Sequence, residues 1–334
     1  MKRISQVLLG GPLDEAVLRN AERSTLMLVD EPLRQYSSFV LRLLAATVVA
    51  TAGVAADSAT TIIGAMLIAS LMSPMLGTAL ATALGRPREA VRTLAITVLG
   101  VALVVGASAL VTAIIPVAAN METNSQVLAR TSPRLVDLII ALASGFMAAL
   151  ASMRRDIPDA VPGVAIAASI VPPLCVVGAA LYEGAPVQAL GAFVLFLANY
   201  VAIQVMGGAV YLLMGLGAKS FSVVSDKARK LWYTIVAVCA VVLVSLLFNE
   251  SVGVLRTSMQ ERAAQDAAVA WLEGTDYRVV DLTLDEGELY IQIAGTGAKP
   301  PLSKLARSLE GSEVGLTGLS VSVVDERRIS LSEE

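Results

Sequence analysis
Residues 57–90, DSATTIIGAMLIASLMSPMLGTALATALGRPREA, are echoed without a gap by residues 156–189, DIPDAVPGVAIAASIVPPLCVVGAALYEGAPVQA. Nine of the 34 positions are identical: Asp57/Asp156, Gly64/Gly163, Ala69/Ala168, Ser70/Ser169, Pro74/Pro173, Ala81/Ala180, Gly85/Gly184, Pro87/Pro186 and Ala90/Ala189. Six of the nine are Asp, Gly, Ser or Pro, which do not recur in register through alanine-rich composition alone. The 99-residue offset therefore reads as an internal duplication.

Working outward, apolar runs occupy residues 38–56, 58–84, 93–118, 135–152, 157–181, 187–215 and 231–248. At about 20 residues per crossing, each is long enough to span a bilayer. Only the Ala56-Asp57-Ser58 corner separates the first two, so the sequence leaves open a tight hairpin or a re-entrant element. Basic residues collect before the first span (Lys2, Arg3, Arg19, Arg23, Arg34), after the second (Arg86, Arg88, Arg92), after the fourth (Arg154, Arg155) and after the sixth (Lys219, Lys227, Arg229, Lys230). This asymmetry predicts a cytoplasmic N-terminus and, after seven spans, an extracytoplasmic C-terminus. Three spans per copy then place the second copy in the membrane upside down.

The expected fold is an all-α polytopic membrane protein of about seven transmembrane helices with a 3+3 inverted repeat, plus a small C-terminal α+β extracytoplasmic domain. Its divisions are a cytoplasmic amphipathic segment (1–36), repeat 1 (37–118), repeat 2 (119–217), a cytoplasmic linker with the seventh span (218–249), and the α+β domain (250–334). In the last, a helix over 250–273 precedes strands at Tyr277–Leu284 and Glu288–Ala294, a helix at Pro301–Leu309, and strands around Gly318–Val324 and Arg328–Leu331. That order is similar to small periplasmic modules of the BON type.

Composition agrees with a membrane assignment. The 334 residues are 56% hydrophobic and 16% charged, with a mean hydropathy of +0.72, a balance outside the range of soluble domains. With no histidine, the commonest metal ligand and neutral-pH proton shuttle are missing and a Ser/His/Asp triad is impossible. Cys175 and Cys239 are isolated in apolar runs, which argues against a disulfide or thiolate site. No metal site, cofactor or enzymatic activity is expected, and no basic face with interleaved aromatics suggests nucleic acid. The expected partners are the lipid bilayer, a small ion or solute, and further copies of the chain in a homo-oligomer.

The duplicated stretch also carries the candidate site. A proline inside a helix has no N–H for the carbonyl four residues back. Pro74 would free the carbonyl of Ser70, Pro173 that of Ser169, and Pro172 that of Ala168. Broken helices at Gly64, Ser70, Ser73 and Pro74 facing Gly163, Ser169, Pro172 and Pro173 would bind an ion or solute near the midplane. The competing reading is a pair of kinked helices whose serines bond back to their own carbonyls. Asp57, Asp156, Asp159 and Asn199 are candidates for coupling or gating, against plain solvation of the aspartates and an interhelical hydrogen bond from Asn199. Gln204 reads as an interhelical hydrogen-bonding residue. An inner-membrane transporter is the leading functional expectation. An oligomeric channel and a membrane-anchored sensor or scaffold are the alternatives.

The runs Gly64–Pro74 and Pro162–Pro173, together with Ala141–Ala151, resemble the bacterial and archaeal membrane family called domain of unknown function 389. The resemblance covers about residues 35–215, and Ser169 departs from the family pattern, in which a more apolar residue is expected. It implies a polytopic membrane domain and no particular substrate.

Overall fold
The computed structural model describes residues 15–27, 32–115, 121, 123–132, 134–154, 160–216, 226–285, 288–297, 301–310 and 318–325, which fall into two compact units, Met1–Phe248 and Asn249–Glu334. In the first unit the helices are α1 (Glu15–Thr25), α2 (Pro32–Ala55), α3 (Ala59–Ile68), α4 (Met72–Ala83), α5 (Pro87–Ile114), α6 (Ser125–Thr131), α7 (Leu135–Met153), α8 (Ala160–Tyr182) and α9 (Pro186–Leu213). The seven apolar runs are helical over most of their described residues, with a break at residues 69–71 in the second. Four helices are long and apolar enough to cross a membrane among the described residues: Leu33–Ala55, Pro87–Ile114, Leu135–Met153 and Pro186–Leu213. The bent pair α3 and α4 makes a fifth if it is one span. Their outer faces carry large apolar side chains such as Leu99 (69% exposed), Ile114 (72%) and Val187 (78%). Lipid solvates such a surface, whereas water would penalise it.

The helices end where the sequence punctuates them. Gly85 and Gly184 both take left-handed φ angles, +68° and +73°, the conformation that closes a helix C-terminus. The N–H of Arg86 reaches the carbonyl of Ala81, and that of Ala185 the carbonyl of Ala180, each at 2.8 Å. Pro87 and Pro186 then open α5 and α9, helices of 28 residues each, because a first-turn proline gives up an N–H that has no partner there anyway. So two turns 99 residues apart have the same hydrogen bond, the same glycine conformation and the same proline start.

Packing follows a reciprocal scheme. α5 packs on α2, α4 and α8; α9 packs on α7, α8 and α4. Where α5 crosses α8, a Cβ on Gly178 would lie 2.8 Å from that of Ser108 and 2.4 Å from the carbonyl oxygen of Val105. Where α9 crosses α4, a Cβ on Gly207 would lie 3.1 Å from that of Ala79. Ala79 and Gly178 are 99 residues apart, as are Ser108 and Gly207, so both crossings use the same positions with roles exchanged. Small residues allow such close approach of membrane helices.

Within the expected amphipathic segment, helix α1 lies against the bundle. Leu18, Ala21, Leu26 and Met27 are buried, and the carbonyl of Thr25 sits so close to Gly77 of α4 that no side chain fits there. Glu22 pairs with Arg86 at 3.0 Å, and Arg92 donates to the carbonyl of Met27 at 3.2 Å.

Helix α10 (Asp226–Leu272) is one element, whereas the sequence reading separated a span ending at 248 from a helix starting at 250. In the second unit, Ala264, Ala268, Trp271 and Leu272 share a core with Leu289, Ile291, Ile293, Leu305 and Leu309. Strands β1 (Arg278–Asp285) and β2 (Glu288–Gly295) form an antiparallel hairpin, with Asp285 opposite Glu288. Helix α11 (Leu302–Glu310) then returns the chain to β3 (Gly318–Asp325), which pairs with β2 in parallel. The strand expected at Arg328–Leu331 lies outside the described residues.

Candidate functional site
The second apolar run is interrupted. α3 stops at Ile68, Ala69 turns extended (φ −62°, ψ 135°), and α4 restarts at Met72 with its axis bent by 53°. Had the helix continued, the Pro74 ring would have met the carbonyl of Ser70. Breaking just upstream puts Pro74 in the first turn of α4, where a missing N–H costs little. Pro74 is thus no internal kink, and Ser70 is freed because its helix has already ended. The N–H groups of Ser70 and Leu71 find no backbone carbonyl among the described residues, and Leu71 offers α4 no side-chain cap. The Ser70 hydroxyl donates to the Phe39 carbonyl of α2 at 3.2 Å rather than back into its own helix, which removes the back-bonding alternative at this serine. Ser73 is half-buried and Pro74 buried.

The second copy differs. α8 runs unbroken from Ala160 to Tyr182 with Pro172 and Pro173 inside it, so the expectation of two broken helices is corrected to one. Two prolines inside this helix leave the carbonyls of Ala168 and Ser169 without their usual donors. Gly163 and Ser169 belong to a part of α8 whose side chains lie outside the described residues. α8 packs on both α3 and α4, and Leu71 and Met75 share one apolar cluster with Ile170, Val171 and Leu174. Gly64 is exposed, and a Cβ there would meet nothing within 4 Å; it does not line this junction.

Of the gating candidates, Asp57 has a structural partner. It holds a left-handed φ of +49° at the corner between α2 and α3. Its carboxylate accepts from the Ser125 hydroxyl at 2.6 Å and the Gln126 N–H at 3.1 Å, at the start of α6. The Ser125 hydroxyl bond holds its pKa below the ordinary aspartate value. Asp156 and Asp159 lie outside the described residues. Asn199 is buried at 2% exposure.

Gln204 donates to the Met75 carbonyl of α4 at 2.9 Å, an interhelical bond of the kind the sequence suggests. Around it the structure gathers hydroxyls that sequence reasoning passed over. Thr78 bonds back to the Pro74 carbonyl at 3.1 Å and lies 3.0 Å from the Thr93 hydroxyl of α5. The available signal was threonine at four-residue intervals, Thr78/Thr82 and Thr93/Thr97, in otherwise apolar helices. On another side of the bundle, Thr51 donates to Ser108, which donates to the Cys175 carbonyl at 2.6 Å. Both cysteines are free thiols.

Residues 66–206 match the family described as Domain of unknown function (DUF389), which bears out the resemblance carried by the two proline motifs. The chain is similar to an uncharacterized protein of Methanocaldococcus jannaschii, with 27% identity over 199 residues, 60% of each chain. It therefore spans about three fifths of that relative's length. No solved structure matches.

Proposed function
We propose that this chain, with the DUF389 domain at its centre, is an inner-membrane transporter of an ion or small solute, with its site at the junction of α3, α4 and α8. The observation that carries this reading is the break at Ala69–Leu71. Unpaired backbone donors inside an apolar bundle must face protein, water or a solute, and discontinuous helices serve that purpose in secondary transporters. The twin turns at Gly85 and Gly184 and the exchanged crossings at Ala79/Gly207 and Gly178/Ser108 support a 3+3 inverted repeat. In this reading α8 and α10 complete seven spans, the N-terminus is cytoplasmic, residues 250–334 are extracytoplasmic, and the protein works as a homo-oligomer with one substrate site per subunit. The sequence offers no reactive constellation, so transport is favoured over catalysis.

Flux into liposomes holding the purified protein tests this. Saturable, slow uptake of one member of an ion and solute panel is expected, and Ser70→Ala should weaken its apparent affinity while leaving expression intact. Discrete conductance steps would replace the transporter with a channel. Absence of any flux, combined with a cellular phenotype lost on deleting residues 250–334 alone, would favour the sensor or scaffold.

A further inference from the structure
Gln204 is 1% exposed, and only half of its amide is satisfied. The Met75 carbonyl can only accept, so it fixes the nitrogen of Gln204 on its side; Oε1 is then buried with no hydrogen-bond partner among the described residues. One turn away on the same helix, the Tyr200 hydroxyl is also buried with no hydrogen bond among the described residues, although it is turned toward Thr78. Its ring is held by stacking on Phe196, 6.5 Å between centroids. Residues four apart share a helix face, so Tyr200 and Gln204 face the first two turns of α4, directly behind the break. Thr78 and Thr93 add hydroxyl oxygens there, and Pro74 and Met75 add carbonyls.

We propose that Gln204 and Tyr200 of α9 and Thr78 of α4 form a binding site for a dehydrated monovalent cation, separate from the substrate junction of α3, α4 and α8, an inference that rests on the transport reading above and names its coupling ion. The unfilled position is an acceptor, which asks for a cation or a donor and repels an anion. The oxygens that gather here are all neutral. Hard oxygen ligands suit alkali and alkaline-earth ions, but removing the water from a divalent ion inside a bilayer requires carboxylates. Among the described residues no group of three or more His, Cys, Asp or Glu side chains exists to hold one.

The test is thermal unfolding of the full chain in nanodiscs, with sodium, potassium or lithium chloride compared with choline chloride at equal ionic strength. One alkali ion should raise the melting temperature saturably, and Gln204→Leu should abolish that shift. Gln204→Glu keeps the side-chain shape and supplies a carboxylate, so the shift should persist and become pH-dependent as protons compete with the ion. This variant decides the matter if the leucine variant does not fold. The control Ser245→Ala, on α10, should leave the shift unchanged. Equal melting in all four salts, or a full shift retained in Gln204→Leu, overturns the proposal and leaves Oε1 to a fixed water. Flux measured separately keeps the two readings apart: uptake of a solute without alkali-ion binding sinks the cation site alone, whereas ion binding without any flux sinks the transporter.

Discussion
At the scale of single residues, Asp57, a gating candidate from the sequence, is also a structural fastening. Its carboxylate joins the α2–α3 corner to the start of α6, 68 residues later, and caps N–H groups where a negative charge is favoured. Because hydrogen bonding lowers its folded-state pKa, its contribution is present above the ordinary aspartate pKa of about 3.9 and is lost as pH falls through the lower folded value. Asp57→Ala should therefore lower the melting temperature at pH 7 and flatten the fall in stability below pH ~4. Asp57→Asn should do less harm at pH 7, since Asn also tolerates left-handed backbone and can accept from Ser125. Transport rates that drop in both variants at unchanged stability would return Asp57 to a gating role.

At the scale of helices, the glycines divide into those that the packing requires and those that it does not. A Cβ at Gly178 would lie 2.4 Å from the Val105 carbonyl and one at Gly191 would lie 2.1 Å from that of Thr131, contacts that only movement of a whole helix could relieve. Gly178→Ala and Gly191→Ala should each cost about 1–3 kcal/mol, the range for overpacking a close-packed interior. Gly64→Ala has open space and should stabilise α3 by up to about 1 kcal/mol through helix propensity. Thermal melts of the three variants check this ordering. Normal flux by Gly64→Ala would agree with its exposed place on α3, whereas a loss of flux would restore it to the site.

For the whole molecule, charge asymmetry predicts that the two ends lie on opposite sides of the membrane. Reporter fusions after Gly10 and after Glu334 should report a cytoplasmic and an extracytoplasmic location, respectively; two ends on one side would remove the seven-span arrangement and the inversion with it. Much of this architecture is legible in the chain because its signals are local. Gly85-Arg86-Pro87 and Gly184-Ala185-Pro186 state where one helix must stop and the next start, and unbroken apolar runs state what must lie in lipid. Proline alone was a poorer guide. Pro74 and Pro173 occupy matching positions, yet the first begins a helix after a break and the second lies within a continuous one, because the neighbouring helices and not the proline decide where unpaired carbonyls and amides can be tolerated. What only the tertiary structure decided are the long-range contacts: Gln204 on the Met75 carbonyl, 129 residues apart, Ser70 on the Phe39 carbonyl, and α1 seated against Gly77. A side chain's partner across the bundle depends on helix rotation and crossing, which short-range sequence signals do not encode.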